Sequence, residues 1–286
     1  MWLDDTLTLL AANPVCGYVP SAAPATEPTA LAALALAAHG QRRKVSPAAD
    51  YLLACQSEDG SVGVRMGEAT PGWPTSLAVL AWQAAEPVQY RRSIDRGIEW
   101  ILTMRGKALA VTEEMGHDTR LVAWPWAEGT HSWIEPSALH VLALKASGQM
   151  WHERTREAIA LLVDRQLPTG GCNYGNTSVL GQMLRPHVQP TGVALLALAG
   201  EKDTSGKIGK SVEWLAGALD ARTTPASLAW GLLGLAAHGV KIAAAELWLA
   251  AAHQRVQSRD RSPHKFALLA LAAAAECSPF TVVPSP

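Results

Sequence analysis

The sequence is poor in the residue types that favour β-sheets. Phenylalanine occurs twice and tyrosine four times in 286 residues, and runs of β-branched residues are scarce. Nearly half of the residues are hydrophobic, and most of these are alanine and leucine. Because alanine and leucine favour helices whereas β-branched and aromatic residues favour strands, this composition predicts an all-α protein.

The chain also lacks an excess of charge and a pattern of paired cysteines. It has 24 Lys and Arg against 25 Asp and Glu, so its electrostatics predict neither a nucleic-acid partner nor an anionic membrane. No CxxC pair occurs, and we expect reduced thiols in a cytoplasmic protein. The residues before Leu10 include Asp4 and Asp5 and no basic residue, unlike a signal peptide. The apolar stretches, of about a dozen residues, are too short for a transmembrane segment. The cysteines are Cys16, Cys55, Cys172 and Cys277.

A short phrase built around proline recurs six times along the chain. In each copy a polar or aromatic residue precedes the proline, a small or polar residue follows it, and an apolar segment comes next. Proline suits the first turn of a helix, where its missing N–H would be unpaired anyway, so each phrase predicts a helix start. The segments are apolar on nearly all sides, which predicts buried helices. The copies are Glu27-Pro28-Thr29, Trp73-Pro74-Thr75, Glu135-Pro136-Ser137, Gln189-Pro190-Thr191, Thr224-Pro225-Ala226 and Ser262-Pro263-His264.

Amphipathic segments with apolar residues at helical spacing alternate with these buried helices. We therefore expect an (α/α)6 toroid of six inner and six outer helices, forming a single domain over residues 1–286. Long loops rich in Gly, Trp and His precede three of the inner helices, at 57–73, 105–135 and 167–189. Because function tends to lie on long ordered loops, we expect the site where the inner helices begin. The amphipathic segments are 3–12, 47–56, 93–104, 154–166, 209–219 and 242–256.

Two loop entries carry a repeat motif. Gln56-Ser-Glu-Asp-Gly-Ser-Val62-Gly and Gln166-Leu-Pro-Thr-Gly-Gly-Cys172 resemble the Gln–Trp repeat of squalene and hopene cyclases, with Val62 and Cys172 at the tryptophan position. The chain is thus similar to the prenyltransferase and squalene-cyclase repeat family. The resemblance implies a terpene cyclase-like or prenyltransferase-like toroid that acts on an isoprenoid or other apolar ligand in a central cavity. The alternative is a non-catalytic toroid that binds a lipid or a partner protein.

The catalytic motifs of that family are missing. The Asp-x-Asp-Asp acid motif of the cyclases would fall at Ala25–Pro28 or Trp133–Pro136, which leaves Glu27 or Glu135 at the proton donor's position. A glutamate beside a helix N-terminus also has a purely structural explanation, because the helix dipole stabilises it. The Asp-x-Cys zinc pair of protein prenyltransferases is absent too. So is the Cys-Gly-Glu-Gln run that complement-type thioester toroids require.

We therefore expect no metal and no cofactor. Cys172, His187 and His264 fall on the same rim of the toroid, but their spacing does not suit zinc.

The stretch 117–135 is the most site-like part of the sequence. It holds three tryptophans, two histidines and three carboxylates. Histidine and glutamate can transfer protons, and tryptophan faces stabilise cations. We predict that Glu135 is catalytic, supported by His131 and Asp118. The predicted cavity-lining residues are Trp124, Trp126, Trp133, His140 and Tyr174.

Three alternatives to this site stay open. In the first, the tryptophans only fill the opening of the toroid and the charged side chains face water. His140 would be a hydrogen-bonded core residue. Asp118 and Glu135 would form a glycosidase-like carboxylate pair across a sugar cleft.

Overall fold

The computed structural model describes residues 1–110 and 116–280, which contain twelve α-helices in two concentric rings. Each inner helix contacts the next, and the last returns to contact the first, so the inner ring is closed. The inner helices are α2 (Thr26–Ala38), α4 (Thr75–Ala85), α6 (Ile134–Ala146), α8 (Val188–Leu198), α10 (Pro225–Ala237) and α12 (Pro263–Ala273).

Each outer helix contacts two inner helices that are neighbours in the ring. The expected all-α toroid is therefore confirmed. Within the described residues, no helix is long and apolar enough to cross a membrane. The outer helices are α1 (Trp2–Ala12), α3 (Ser46–Ala54), α5 (Arg91–Thr103), α7 (Glu153–Asp164), α9 (Lys207–Ala218) and α11 (Ala245–Arg259). Smaller elements are two 3-10 turns, Arg42–Lys44 and Ala275–Cys277, and a hairpin of β1 (Ser178–Val179) and β2 (Gln182–Met183).

The repeated prolines all lie at or near the start of an inner helix. In α10 and α12 the proline is the first helical residue, and Pro74 directly precedes α4. In α2, α6 and α8 the proline is the third helical residue, so the residue before it lies inside the first turn. Three polar side chains, those of Glu27, Glu135 and Gln189, therefore occupy the same helical position in three repeats.

The axis of the inner ring is filled by side chains. Ala30–Leu36 in α2 and Ala267–Leu271 in α12 have no exposed surface at all. Because consecutive helical residues point in every direction around the helix, some of these side chains face the axis of the ring, and they too are inaccessible to water. The open central cavity expected from the resemblance is thus not present at this level, since small and branched apolar side chains pack together there.

Helices α8 and α10 approach each other most closely, through glycine. A Cβ atom added to Gly192 would lie 2.4 Å from the carbonyl oxygen of Trp230 in α10. Such a distance is well below van der Waals contact, so this crossing requires a residue without a side chain.

The face where the inner helices end is stabilised by bonds between neighbouring helices. His39 Nε2 lies 2.9 Å from a carbonyl oxygen of α12, and His238 Nε2 lies 2.8 Å from a carbonyl oxygen of α8. Lys145 Nζ donates to the Ala197 carbonyl at 2.8 Å. The last carbonyl groups of a helix lack partners within it, so these donors satisfy them while they tie the ring together.

The two glutamines of the Gln–Trp-like turns have a structural role. Gln56 Nε2 donates to the Ser93 carbonyl of α5 at 2.9 Å, and Ser211 of α9 donates to Gln166 Oε1 at 2.7 Å. Each turn is thereby fixed to the next outer helix. Both turns open long loops, so these glutamines hold the loops on the face where the inner helices begin.

Candidate functional site

The face on which the inner helices begin, which we call the mouth, carries a group of polar side chains. Three of these side chains belong to the residue before the repeated proline, namely Glu27, Glu135 and Gln189. The fourth is His264, which directly follows Pro263. The side chains of Glu27 and His264 keep 21% and 16% of their surface exposed, so a ligand in solution can reach them.

Glu27 is held between two polar partners. Its Oε2 accepts a hydrogen bond from the Tyr18 hydroxyl, and its Oε1 lies 3.3 Å from His264 Nε2. Burial would raise the pKa of Glu27, but the bonds and charge of His264 and the Tyr18 bond outweigh it, so the pKa is lowered. Glu27 is therefore a carboxylate at neutral pH.

Glu135 has the opposite electrostatic environment. Burial raises its pKa, the negative charge of Glu27 raises it further, and a hydrogen bond from Gln189 opposes the rise. That bond joins Gln189 Nε2 to Glu135 Oε1 at 2.8 Å. The two glutamates are thus close enough to influence each other, and their pKa values are displaced in opposite directions.

Aromatic side chains, most of them from the long loops, lie at the mouth. Each has part of its surface exposed and is paired with another ring, either edge-on or tilted. Because Trp73, Trp133 and His187 directly precede inner helices or their first proline, the pairs lie around the mouth. The pairs are Trp73–Trp126 at 4.8 Å between ring centroids, His131–Trp133 at 4.7 Å, Tyr174–His187 at 5.0 Å and Tyr18–His264 at 5.3 Å.

Asp118 and His131 have partners other than Glu135, and their predicted support of Glu135 stays a prediction. Asp118 binds the guanidinium of Arg120 at 2.9 Å, and those hydrogen bonds lower its pKa. Its backbone N–H donates to Asp164 at the end of α7. His131 instead packs against Trp133. No hydrogen bond or ion pair joins either residue to Glu135 in the part of the chain that the structure describes.

Trp124 and His140 lie in the core and not at a cavity, which corrects the prediction for both. Trp124 has no exposed surface, and its indole N–H donates to the Ile101 carbonyl at 2.9 Å. The His140 ring stacks parallel to it at 5.1 Å, and the Arg154 guanidinium lies 4.7 Å from the Trp124 ring. His140 Nδ1 bonds the Pro136 carbonyl at 2.6 Å, which fits the core alternative.

Cys172, His187 and His264 are not brought together as a metal site. Cys172 is fully buried, and burial raises the pKa of its thiol to about 12. His264 is taken up by Glu27, and His187 packs on Tyr174. Across residues 1–110 and 116–280, no group of three or more His, Cys, Asp or Glu is arranged to hold a metal ion. All four cysteines are free thiols.

The sequence analysis missed Gln189 and Tyr18 as members of the mouth, and it placed His264 on the rim without its partner Glu27. For Gln189 the signal was the repeat itself, because Glu27, Glu135 and Gln189 stand in the same place before proline. Residues at equivalent positions of a closed ring face a common centre. Tyr18 gave no such signal, since it lies in the loop between α1 and α2.

No protein-family model and no curated protein sequence matches this chain. Among solved structures, it is similar to a Salmonella alpha-2-macroglobulin reacted with methylamine, with a TM-score of 0.55 and 15% identity over 96% of this chain. A mutant of that macroglobulin matches equally, with a TM-score of 0.55. This chain spans 17% of the length of the macroglobulin chains. It also resembles a protein from Actinoplanes, with a TM-score of 0.53 and 14% identity over 92% of this chain and 82% of that one. Likeness at this identity shows the helical toroid fold alone.

Proposed function

We propose that this chain is an enzyme with an acid–base site at the mouth of the toroid. The observation that carries the proposal is the pair Glu27 and Glu135, which occupy equivalent helical positions and have pKa values displaced in opposite directions. Two carboxyl groups whose pKa values differ in this way suit the roles of one proton donor and one proton acceptor. Glu135 is the donor, and Glu27, aided by His264, is the acceptor.

The proposed ligand is isoprenoid-like, as the resemblance to cyclases and prenyltransferases implies. Because the axis of the ring is filled, the ligand lies over the mouth against Trp73, Trp126 and Trp133 rather than inside the ring. Indole faces offer it an apolar surface and stabilise a developing cation. A carboxyl group with a raised pKa is a weaker acid, so Glu135 suits protonation of an oxygen atom, such as that of an epoxide or alcohol, better than protonation of an alkene.

The test is incubation with squalene, its epoxide and linear prenyl diphosphates, followed by mass spectrometry of the protein and of the extract. We expect product from an oxygenated substrate, and a loss of about 100-fold or more in Glu135→Gln with little change in melting temperature. Glu128→Gln is the matched control, because Glu128 lies exposed in the same loop region. Full turnover by Glu135→Gln would remove Glu135 from the mechanism, and a wild-type protein that neither converts nor retains these compounds would remove the ligand class.

A non-catalytic toroid that binds a lipid or a partner protein is the second candidate. The filled axis favours it, and so does the apolar tip of the β1–β2 hairpin, where Leu180 is 89% exposed and has φ of +50°. An exposed leucine in the left-handed region costs stability in the free protein, and binding at the tip would offset that cost. Binding that survives Glu135→Gln but is lost in Leu180→Asn, which tolerates the same backbone conformation, would support this candidate over the enzyme.

A further inference from the structure

A small basic pocket lies beside the mouth, where α10 begins, α11 ends and α12 begins. Its volume is about 160 Å³. We propose that this pocket binds the phosphate group of a phosphorylated ligand. The proposal is independent of the acid–base site, since neither Glu27 nor Glu135 lines the pocket. The charged lining residues are Arg222, Arg255, Arg259, Lys265 and Asp260.

The pocket carries more positive charge than its own carboxylates neutralise. Of the five charged lining residues, four are cationic and only Asp260 is anionic. Asp260 pairs with Lys265, and Arg222 pairs at 3.1 Å with Asp220. The charges of Arg255 and Arg259 remain without a carboxylate among the described residues. Two uncompensated guanidinium groups favour an anion of about two charges, as a phosphate monoester has near neutral pH.

Arg255 is fixed in place while Arg259 is available. Arg255 donates from Nη1 to the Ala221 carbonyl at 2.8 Å and from Nη2 to the Thr223 carbonyl at 2.9 Å. These bonds orient its guanidinium and hold the loop that precedes α10. Arg259 makes no hydrogen bond or ion pair with any described residue. Arg255 is thus a fixed cation, and Arg259 is free to bind an anion placed between them. An arginine often binds such an anion through two parallel hydrogen bonds.

The start of α10 adds donors to the same pocket. Thr224 and Pro225 line it, and no side chain caps this helix. The backbone N–H groups of Ala226 and Ser227 have no acceptor within residues 1–110 and 116–280. The Thr224 hydroxyl donates at 2.9 Å to the Ser227 hydroxyl instead of capping them. Unpaired N–H groups and the helix dipole both complement the negative charge that the arginines attract.

The size of the pocket limits the ligand. A volume of about 160 Å³ is smaller than the ~300–1,000 Å³ of typical small-molecule sites. One tetrahedral phosphate with a bridging water fits this space, whereas a nucleotide would have to lie mainly outside it.

Phosphate titration tests the proposal, with inorganic phosphate as the probe at constant ionic strength set by chloride. Binding is measured by calorimetry and by broadening of the phosphorus-31 resonance. We expect saturable binding to the wild type and about tenfold weaker binding to Arg259→Gln. Because Arg259 is exposed and has no partner in the described chain, this variant should keep the wild-type circular dichroism and melting temperature.

Arg92→Gln is the matched control, since Arg92 is likewise exposed and unpaired among the described residues but lies on α5. It should bind phosphate as the wild type does. Glycerol phosphate and a phosphoserine tripeptide, titrated separately, distinguish a small phosphomonoester from a phosphorylated protein. Binding of either that weakens in Arg259→Gln supports the pocket. Equal affinity of wild type and Arg259→Gln, or no saturable binding of any phosphate, would overturn it.

Discussion

Acidification from pH 7.5 to pH 4.5 should destabilise the fold in large part through one side chain, His140. The residue is buried in α6 between the parallel Trp124 ring and the Pro136 carbonyl. Because the carbonyl accepts a hydrogen from Nδ1, the neutral ring carries its proton there. Nε2 is buried and has no hydrogen-bond partner among the residues that the structure describes. A second proton on Nε2 would place an unpaired charge in the core, with the Arg154 cation close by.

The magnitude follows from the pKa values of the two states. Burial lowers the pKa of His140 from 6.5 to about 4 in the fold, with the charge of Arg154 acting in the same direction and the Pro136 bond opposing it. The unfolded chain therefore binds a proton between these values while the folded chain does not. Stability is unaffected above pH 6.5 and falls as the pH decreases towards 4. At pH 4.5 the loss is about 2.5 kcal/mol, at about 1.36 kcal/mol for each unit of difference.

The assay is urea unfolding of the wild type and of His140→Gln at both pH values. The variant lacks the titrating group, so its loss of unfolding free energy between pH 7.5 and 4.5 should be about 2.5 kcal/mol smaller than that of the wild type. Other histidines titrate alike in both proteins and cancel. His187→Gln, at an exposed position of the mouth, should leave the wild-type pH dependence unchanged. Parallel losses in wild type and His140→Gln would refute the assignment of a neutral, buried His140.

Three other perturbations test the packing and the electrostatics. Gly192→Ala should lower the unfolding free energy by about 2 kcal/mol because its Cβ would meet the backbone of α10 at 2.4 Å, while Gly217→Ala, with no atom within 4 Å of the new Cβ, should be neutral or slightly stabilising. Lys145→Met should cost about 2 kcal/mol in denaturant unfolding, because two carbonyls lose their buried donor and Glu201 keeps only Arg156 as a partner, whereas Lys241→Met, from an exposed pair, should change stability little. Because the pKa of Glu27 is lowered in the fold, its carboxylate stabilises the protein above the unfolded pKa, and this stabilisation is lost on acidification. Glu27→Gln should therefore lose less stability between pH 7 and pH 3 than the wild type, and an equal loss would contradict the His264 bond.

The helices of the toroid were readable from the sequence because each carries its own local signal. Proline marks every inner helix to within three residues, and the amphipathic segments locate the outer helices almost as closely. The segment predicted at 242–256 shows the largest difference, since α11 is Ala245–Arg259. The helix ends at Arg259, and the backbone turns two residues later, at Arg261 with φ of +48°, without the glycine that usually signals such an end.

The contents of the ring and of the site were not readable in this way, because they depend on distant parts of the chain. Trp124 stands among site-like neighbours in sequence, yet its indole N–H needs an acceptor, and the acceptor is Ile101 in α5. Asp118 stands seventeen residues before Glu135, but a closer cation, Arg120, takes its carboxylate. Proximity along a loop therefore did not predict the bonding partner of either residue.

Equivalence between repeats is a better guide to the mouth than proximity along the chain. Glu27 and Glu135 have the same place relative to proline and the same place in the first helical turn, so their backbone environments are alike. What differs is the adjacent inner helix, which brings a histidine to Glu27 and a neutral amide to Glu135. The bond and charge of His264 favour the carboxylate of Glu27, whereas an amide supplies only a hydrogen bond against the cost of burial. Divergence at one position in a repeated helix start is thus enough to give two glutamates of a closed ring different proton affinities.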